Sequence, residues 1–121
     1  MSIGPGQSVY EKWWRKAEVK SVHDGDTITV WLDLGFDVWT LKPLRLYGLN
    51  CPELRTPDGK IAWEFTVNWL YTEHAGHGGF MAQYRSWDKF APRFDGVLIC
   101  GAAHCLNDDL LAAGMAKPYL P

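Results

Sequence analysis

Alternating apolar and polar residues predict three β-strands in the first half of the chain, over Trp13–Val22, Thr27–Leu34 and Val38–Leu49. The segment HDGDT between the first two strands is typical of a tight turn, because Asp-Gly pairs readily adopt the positive φ that a hairpin needs. Pro43 predicts a bend in the third strand. The first half therefore reads as three strands joined by hairpins.

The segment after the third strand carries the signals of a helix start. Thr56 can cap the helix N-terminus, and Pro57 fits its first turn. Apolar residues then recur at helical spacing, which predicts one buried stripe. Its members are Ile61, Ala62, Phe65, Trp69 and Leu70. We expect this helix to end near the glycine-rich segment EHAGHGG.

Two more strands and a last helix complete the pattern. The strands are predicted over Phe80–Trp87 and Phe94–Cys100, and the helix over Asn107–Ala113, where Gly114 closes it. Five strands with a helix between the third and the fourth are typical of the OB-fold. We therefore predict a mainly β protein with helices, in the form of a five-stranded OB-fold barrel with two to three α-helices.

The composition bounds the class of protein. Residues 1–9, rich in glycine, serine and proline, are predicted to be a flexible leader, and residues 10–121 to be one domain. The N-terminus lacks the apolar stretch of a signal peptide, and no apolar run approaches the roughly 18 residues of a membrane span. The formal net charge of −2 gives a polyanion no global attraction. We expect a soluble, cytoplasmic monomer without membrane contact.

Cysteine and histidine positions give no metal pattern by themselves. Cys51, Cys100 and Cys105 cannot all pair, and none belongs to a CxxC or a Cys/His zinc pattern. Free thiols in a reducing compartment are the simplest interpretation. His74 and His77 can suggest a metal pair, but two loop histidines without a third ligand are more often solvated. We therefore interpret both as solvated.

The segment Asp24-Gly25-Asp26-Thr27 carries the first candidate chemistry. Two carboxylates around a glycine at the start of a strand can direct oxygens at a hard cation such as Ca²⁺ or Mg²⁺. The alternative is a plain hairpin turn in which the aspartates accept hydrogen bonds from backbone N–H groups. Taken alone, the segment favours the plain turn.

A second candidate is the segment LRLYGLNCPE, residues 44–53. Arg45 lies inside the predicted strand, and the turn that follows offers the amide of Asn50, the backbone carbonyl of Cys51 and the carboxylate of Glu53. The alternative is a solvated turn, with Arg45 as a barrel-rim arginine paired with an acid such as Glu53.

The loop DKFAPR, residues 88–93, adds a second arginine, Arg93. A cation site, two arginines and a glutamate are the groups needed to hydrolyse a phosphodiester. The metal and the arginines neutralise charge on the phosphate oxygens, while the glutamate orients or deprotonates a water. Arginine suits this role because its planar guanidinium binds two phosphate oxygens and stays protonated.

Four segments, VHDGDTITVWLDLGF, LRLYGLNCPE, WDKFAPR and CLNDDLLAAGMAK, resemble in this order the staphylococcal (thermonuclease-like) nuclease family. The resemblance runs from about residue 19 to residue 119 and looks most like the compact phage and bacterial forms. It implies an OB-fold barrel, Ca²⁺ dependence, and hydrolysis of DNA and RNA that leaves 3′-phosphate ends. Single-stranded substrate would be preferred, and a phage origin would place the protein in the cytoplasm of a bacterial host.

The resemblance also implies roles for individual positions. The metal would be bound by Asp26, Asn50 and Cys51, with Asp24 as a supporting acid. The catalytic residues would be Arg45, Glu53 and Arg93. The substrate-binding residues would be Lys89, Phe90 and Tyr119. Asn107 matches a structural asparagine before the last helix.

Two departures from the family pattern affect these roles. Asn50 stands where the family usually has an aspartate, which predicts a weaker Ca²⁺ site because affinity follows the number of charged ligands. Ala91-Pro92 replaces a single glycine, so the loop before Arg93 is one residue longer. A displacement of Arg93 by about 1 Å can cost on the order of a hundredfold in rate.

Two other functions fit the sequence. The first is a catalytically weakened or inactive OB-fold module that binds nucleic acid or protein. The second is a hydrolase that uses Mg²⁺ or Mn²⁺ instead of Ca²⁺, because oxygen ligands alone do not separate these ions. We expect a nuclease, since both arginines and the glutamate are present.

Overall fold

A computed structural model of the chain describes residues 14–87 and 93–119. The predicted leader, residues 1–9, lies outside the described residues, and so do the predicted substrate-binding residues Lys89 and Phe90. Of the helices in the described ranges, none has the length and apolar character needed to cross a membrane.

The secondary structure follows the predicted order. The strands are β1 Trp14–Asp24, β2 Thr27–Asp33, β3 Trp39–Leu46, β4 Leu49–Asn50, β5 Phe80–Trp87, β6 Phe94–Cys100 and β7 Lys117–Pro118. The helices are α1 Pro57–Asn68 and α2 Leu106–Ala112. The predicted third strand is divided into β3 and β4, because the chain turns at Gly48, where φ is +84°.

The five long strands close into a barrel in the order β1-β2-β3-β6-β5, with β5 hydrogen-bonded back to β1. Neighbouring strands are antiparallel except β3 and β6, which run parallel. The short strands β4 and β7 pair as a separate two-stranded sheet. The predicted OB-fold-like five-stranded barrel with two helices is confirmed.

The barrel interior is filled by aliphatic side chains that alternate along the strands. Its fully buried members include Ile28, Val30, Leu44, Leu46 and Leu98. Because successive strand residues face opposite sides of a sheet, the intervening Arg45 lies on the outer face of β3. A polar side chain is thus held by a rigid strand without entering the core.

Helix α1 begins as predicted, and three of the five predicted stripe residues, Ala62, Trp69 and Leu70, are buried. The hydroxyl of Thr56 accepts a hydrogen bond from the Gly59 N–H at 3.0 Å, as expected for an N-cap. The prediction that Ile61 is buried is wrong, since 51% of its surface is exposed. Thr66 is fully buried in the helix face instead, and its hydroxyl donates to the Gly25 carbonyl at 2.7 Å. A hydrogen-bonded threonine thus replaces an apolar contact against the barrel.

A π-helical segment, Trp69–Glu73, continues α1. The N–H of His74 donates to the Trp69 carbonyl, five residues earlier, at 3.0 Å. The indole N–H of Trp69 donates to Asp109 Oδ2 of α2 at 2.8 Å. This segment thereby connects the end of α1 to the last helix.

Asn107, at the start of α2, joins three parts of the fold. Its Nδ2 group donates to the Tyr47 carbonyl at 3.0 Å and to the Gly96 carbonyl at 3.1 Å. Its Oδ1 accepts from the Leu98 N–H at 3.1 Å. The side chain is 5% exposed. It therefore fixes α2 to β6 and to the turn after β3, in agreement with the predicted structural role.

Candidate functional site

Asp26 connects the turn between β1 and β2 to the segment after β4. Its Oδ2 accepts a hydrogen bond from the Cys51 N–H at 3.0 Å, and its Oδ1 accepts from the Thr27 hydroxyl at 3.3 Å. Its backbone carbonyl accepts from the Leu46 N–H at 2.8 Å. Two of the three residues assigned to the metal, Asp26 and Cys51, are thus brought together although 25 positions separate them.

The turn is held against α1 by close packing at Gly25. A Cβ atom at this position would lie 3.0 Å from both Cys51 Sγ and the Ala62 Cβ, closer than a side chain tolerates without a shift of its neighbours. The hydrogen bond from Thr66 to the Gly25 carbonyl fixes the same turn from the helix side. The two carboxylates beside Gly25 therefore have little freedom to move.

Asp24 is half-buried next to Asp26, and its charge is poorly compensated. Its Oδ1 is buried and has no hydrogen-bond partner among the residues that the structure describes. Burial, followed by the neighbouring Asp26 carboxylate, raises the pKa of Asp24 to about 6. Burial and the same two carboxylates raise the pKa of the Cys51 thiol to about 12, so the thiol stays protonated. Arg45 and His23 offset these carboxylates only in part, since the pKa values of Cys51 and Asp24 remain raised. This environment fits a hard cation bound by Asp24 and Asp26.

Arg45 forms a second group with Asn50 and Tyr119. Its Nη2 donates to Asn50 Oδ1 at 3.1 Å, and its Cζ lies 5.3 Å from the centroid of the Tyr119 ring. The Tyr119 N–H donates to the Gly48 carbonyl at 2.9 Å, which holds the ring at this place. The Asn50 amide oxygen, assigned to the metal by resemblance, thus accepts a hydrogen bond from the guanidinium.

Glu53 has a fixed backbone and an exposed side chain. Its carbonyl accepts hydrogen bonds from the hydroxyl and the N–H of Thr56 at 2.7 and 2.9 Å. Gly59 packs so closely on the same carbonyl that any side chain there would overlap with it. The Glu53 carboxylate forms an ion pair with Arg55 at 2.6 Å, and both side chains are largely exposed. The acid partner suggested for Arg45 therefore pairs with a different arginine.

Arg93 directly precedes β6 and is half-buried. The next residue, Phe94, pairs with Leu44 in the parallel ladder, and Asp95 pairs with Arg45. The register therefore places the backbone of Arg93 beside the position of β3 that lies two residues before Arg45. The structure brings the strands of both predicted catalytic arginines side by side.

A cleft of about 580 Å³ opens next to this site. It is lined by residues 50–52 of the turn, by Asp58 and Ile61 of α1, and by residues 114–117 after α2. Its volume lies within the range of small-ligand sites. A second cavity of about 290 Å³, more apolar, lies between β2, β3 and β5 and has Phe94 in its wall, but contains none of the predicted site residues.

Sequence reasoning missed the contribution of the C-terminal segment to the cleft. Lys117 of β7 pairs with Asn50 of β4 and places a cation at the cleft wall. No local pattern indicates a two-residue strand, and this pairing spans 67 positions. Arg55 was also missed, because an exposed arginine two residues after a glutamate has no distinctive spacing.

A comparison of the chain with models of known protein families gives no match, and neither does a search of curated proteins.

Proposed function

We propose that the protein is a phosphodiesterase that hydrolyses DNA, RNA or both with the help of a hard divalent cation, Ca²⁺ in the first place, and leaves 3′-phosphate ends. The observation that carries this proposal is the hydrogen bond from the Cys51 N–H to Asp26 Oδ2. It joins the two segments whose residues suggest hydrolysis, and it places Asp24 and Asp26 beside the turn that leads to Glu53.

The cation would be held by the carboxylates of Asp24 and Asp26 with the backbone carbonyl of Cys51. Bound there, it would neutralise negative charge on a phosphate oxygen. Asn50 fits this ligand set less well, since its amide oxygen accepts from Arg45. A site with two charged ligands predicts weak Ca²⁺ affinity.

Arg45 is positioned to bind the phosphate. A guanidinium carries five N–H donors, and the hydrogen bond to Asn50 uses one of them. The rigid outer face of β3 and the Tyr119 ring restrict its movement. The guanidinium can thus present a preorganised charge to the phosphate, as an electrostatic catalyst requires. Arg93, from the adjacent strand, would supply the second charge.

Glu53 would act as the general base on the attacking water. Its carboxylate is 68% exposed and reaches solvent at the start of α1. The exposed ion pair with Arg55 is expected to be worth less than about 1 kcal/mol. Exchange of this partner for a water therefore costs little free energy.

Digestion of end-labelled single-stranded and double-stranded oligonucleotides, with Ca²⁺ and with a chelator, tests the proposal. We expect Ca²⁺-dependent cleavage with 3′-phosphate products, and loss of cleavage in Glu53→Gln. Glu64→Gln, an exposed acid on α1 away from the site, is the matched control. A series with Mg²⁺ and Mn²⁺ identifies the cation.

The absence of cleavage with all three ions would refute the proposal. Oligonucleotide binding that persists without cleavage, and that Glu53→Gln leaves unchanged, would instead identify a binding module. The ion pair of Glu53 with Arg55 and the hydrogen bond of Arg45 with Asn50 are the observations that favour this second function.

A further inference from the structure

Three of the four histidines of the chain meet at the end of the barrel where β6 finishes. His74 and His77 follow the π-helical segment, and His104 follows β6. One ring nitrogen from each lies within 4.8 Å of the other two. His74 and His77, interpreted as solvated loop residues without a third ligand, thus have a third histidine, His104, beside them.

Cys100, the last residue of β6, adds a sulfur to this group. Its Sγ lies 3.8 Å from His74 Nδ1 and 3.9 Å from His77 Nδ1, and the two Nδ1 atoms lie 3.1 Å apart. Zn–N and Zn–S bonds in a tetrahedron place two nitrogens about 3.3 Å apart and a nitrogen about 3.6 Å from a sulfur. The three distances between these donor atoms are thus already close to the edge lengths of a zinc tetrahedron.

A hydrogen bond between the His74 and His77 rings is the alternative interpretation, and it explains fewer of these contacts. It would account for the 3.1 Å separation of the two Nδ1 atoms if one ring donates and the other accepts. It gives no reason for the third imidazole, nor for the sulfur equidistant from both nitrogens. A shared metal ion accounts for the convergence of the three imidazoles and for the sulfur that lies beside two of them.

Backbone contacts hold the two ligand-bearing loops together. The His77 N–H donates to the His74 carbonyl at 3.2 Å, and the Cys100 N–H donates to the His104 carbonyl at 3.0 Å. Between the loops, the Gly101 N–H donates to the Gly79 carbonyl at 2.8 Å. Gly101 also packs so tightly on the His77 carbonyl that a side chain would overlap with it. The loop geometry is thus fixed by contacts that do not involve the histidine rings.

The surroundings suit a closed metal site. Cys100 is 1% exposed, and the Trp69 ring covers the His74 ring at a centroid distance of 4.2 Å. Glu73 Oε2 lies 3.9 Å from His74 Nε2, on the ring nitrogen that does not face the other ligands. This distance is too long for a hydrogen bond, so the carboxylate places a negative charge beside the imidazole without orienting it. Burial, together with the other two histidines, lowers the pKa of His74.

We propose that His74, His77, Cys100 and His104 bind one Zn²⁺ ion, which fastens the loop after α1 to the end of β6. Imidazole and thiolate are ligands that zinc accepts and that calcium does not. Four protein ligands leave no open position, which is the arrangement of structural rather than catalytic zinc. The absence of a Cys/His zinc pattern in the sequence reflects the separation of the histidine pair from Cys100 by 23 positions or more.

This site is distinct from the proposed phosphodiesterase site. Asp95, which pairs with Arg45, lies near the start of β6, and Cys100 lies at its end. Five residues of strand correspond to about 17 Å. The metal proposed here can therefore be tested without regard to cleavage of nucleic acid.

The test is direct metal binding by the full chain. Zinc titration against a chromophoric chelator is expected to give one ion per chain, and Co²⁺ to give the visible bands of a tetrahedral site with a thiolate charge-transfer band. His104→Gln, at an exposed position, is expected to weaken zinc binding by more than the roughly 10–100-fold seen for outer ligand partners. His23→Gln, the remaining histidine, is the matched control.

Two results would overturn the proposal. One is a wild-type protein that binds no zinc and gives only the spectrum of aqueous Co²⁺. The other is equal zinc affinity in His104→Gln and the wild type. Cys100→Ser is expected to remove the charge-transfer band while Cys105→Ser keeps it. If Cys100→Ser fails to fold, the zinc-dependent rise in melting temperature, present in the wild type and lost in His104→Gln, decides the question.

Discussion

Substitution of Asp24 by asparagine is expected to stabilise the metal-free protein at neutral pH. In the folded state, burial and the adjacent Asp26 carboxylate raise the pKa of Asp24 from 3.8 to about 6. The folded state therefore holds this proton more tightly than the unfolded state does. Stability falls as the pH rises from about 4 to about 6, because unfolding releases a proton in this window. Asparagine stays neutral and avoids the loss.

The magnitude follows from the two pKa values. An interval of slightly more than two pH units corresponds to about 3 kcal/mol at 1.36 kcal/mol per unit. Asp24 is only half-buried, and solvent screening reduces this figure to about 1–2 kcal/mol. We expect Asp24→Asn to gain that amount of unfolding free energy above pH 7 and to match the wild type near pH 4 and below.

Urea denaturation of both proteins at a neutral and an acid pH, with a chelator present, measures the difference. Glu18→Gln, an exposed acid on the same strand, is the matched control. No gain for Asp24→Asn at neutral pH, or a gain that persists unchanged at acid pH, would refute the reasoning. Added Ca²⁺ should reverse the order, because a ligand that binds the ionised carboxylates stabilises the wild type more than the variant.

Three other substitutions test separate parts of the structure. Gly59→Ala forces a Cβ against the Glu53 carbonyl and is expected to lose about 1–3 kcal/mol by chemical denaturation; an unchanged midpoint would contradict this packing. Asn107→Ala removes the side-chain partner of the Leu98 N–H and of the Tyr47 carbonyl, whereas the Gly96 carbonyl still accepts from the Tyr47 N–H. It is expected to lose about 2–3 kcal/mol, whereas a loss below about 1 kcal/mol would show that these bonds are replaced. Asn50→Asp adds a charged ligand and is expected to tighten Ca²⁺ binding in a calorimetric titration, so an unchanged affinity would remove Asn50 from the metal site.

The barrel could be predicted from local patterns, because the long strands have strand-like sequences and the turns between β1 and β2 and between β2 and β3 contain glycine. The burial of Ile61 was predicted wrongly for a related reason. Helical spacing defines a stripe of apolar residues, but Thr66, whose hydroxyl donates to the Gly25 carbonyl, belongs to the buried face and Ile61 does not. The spacing of apolar residues does not indicate that a threonine can be buried when its hydroxyl is hydrogen-bonded.

The candidate site could be predicted only in part. The residues around Asp26 and Glu53 are recognisable as motifs, but the pairing of Glu53 with Arg55 rather than Arg45 depends on exposed side chains. The histidine cluster was not predicted because His104 follows β6, whereas His74 precedes β5, and the two meet only through the antiparallel pairing of these strands, in which Phe80 pairs with Cys100. The sequence shows two separate pairs of candidate ligands, His74 with His77 and Cys100 with His104, but not that these pairs meet.

The seam between β3 and β6 has a consequence for the order in which the molecule opens. It contains three paired positions, whereas β2 and β3 share seven. Asn107, which braces the seam, reaches the Tyr47 carbonyl across 60 positions of chain, so this bond can form only after the last helix has docked. The Leu46 N–H donates to Asp26 on the β2 side, so by strand alternation the Arg45 N–H faces β6. In hydrogen exchange we expect the Arg45 amide to lose protection before those between β1 and β2. Arg45 lies in that seam, so the arginine proposed to bind phosphate would lose its contact with β6 while β3 is still paired with β2.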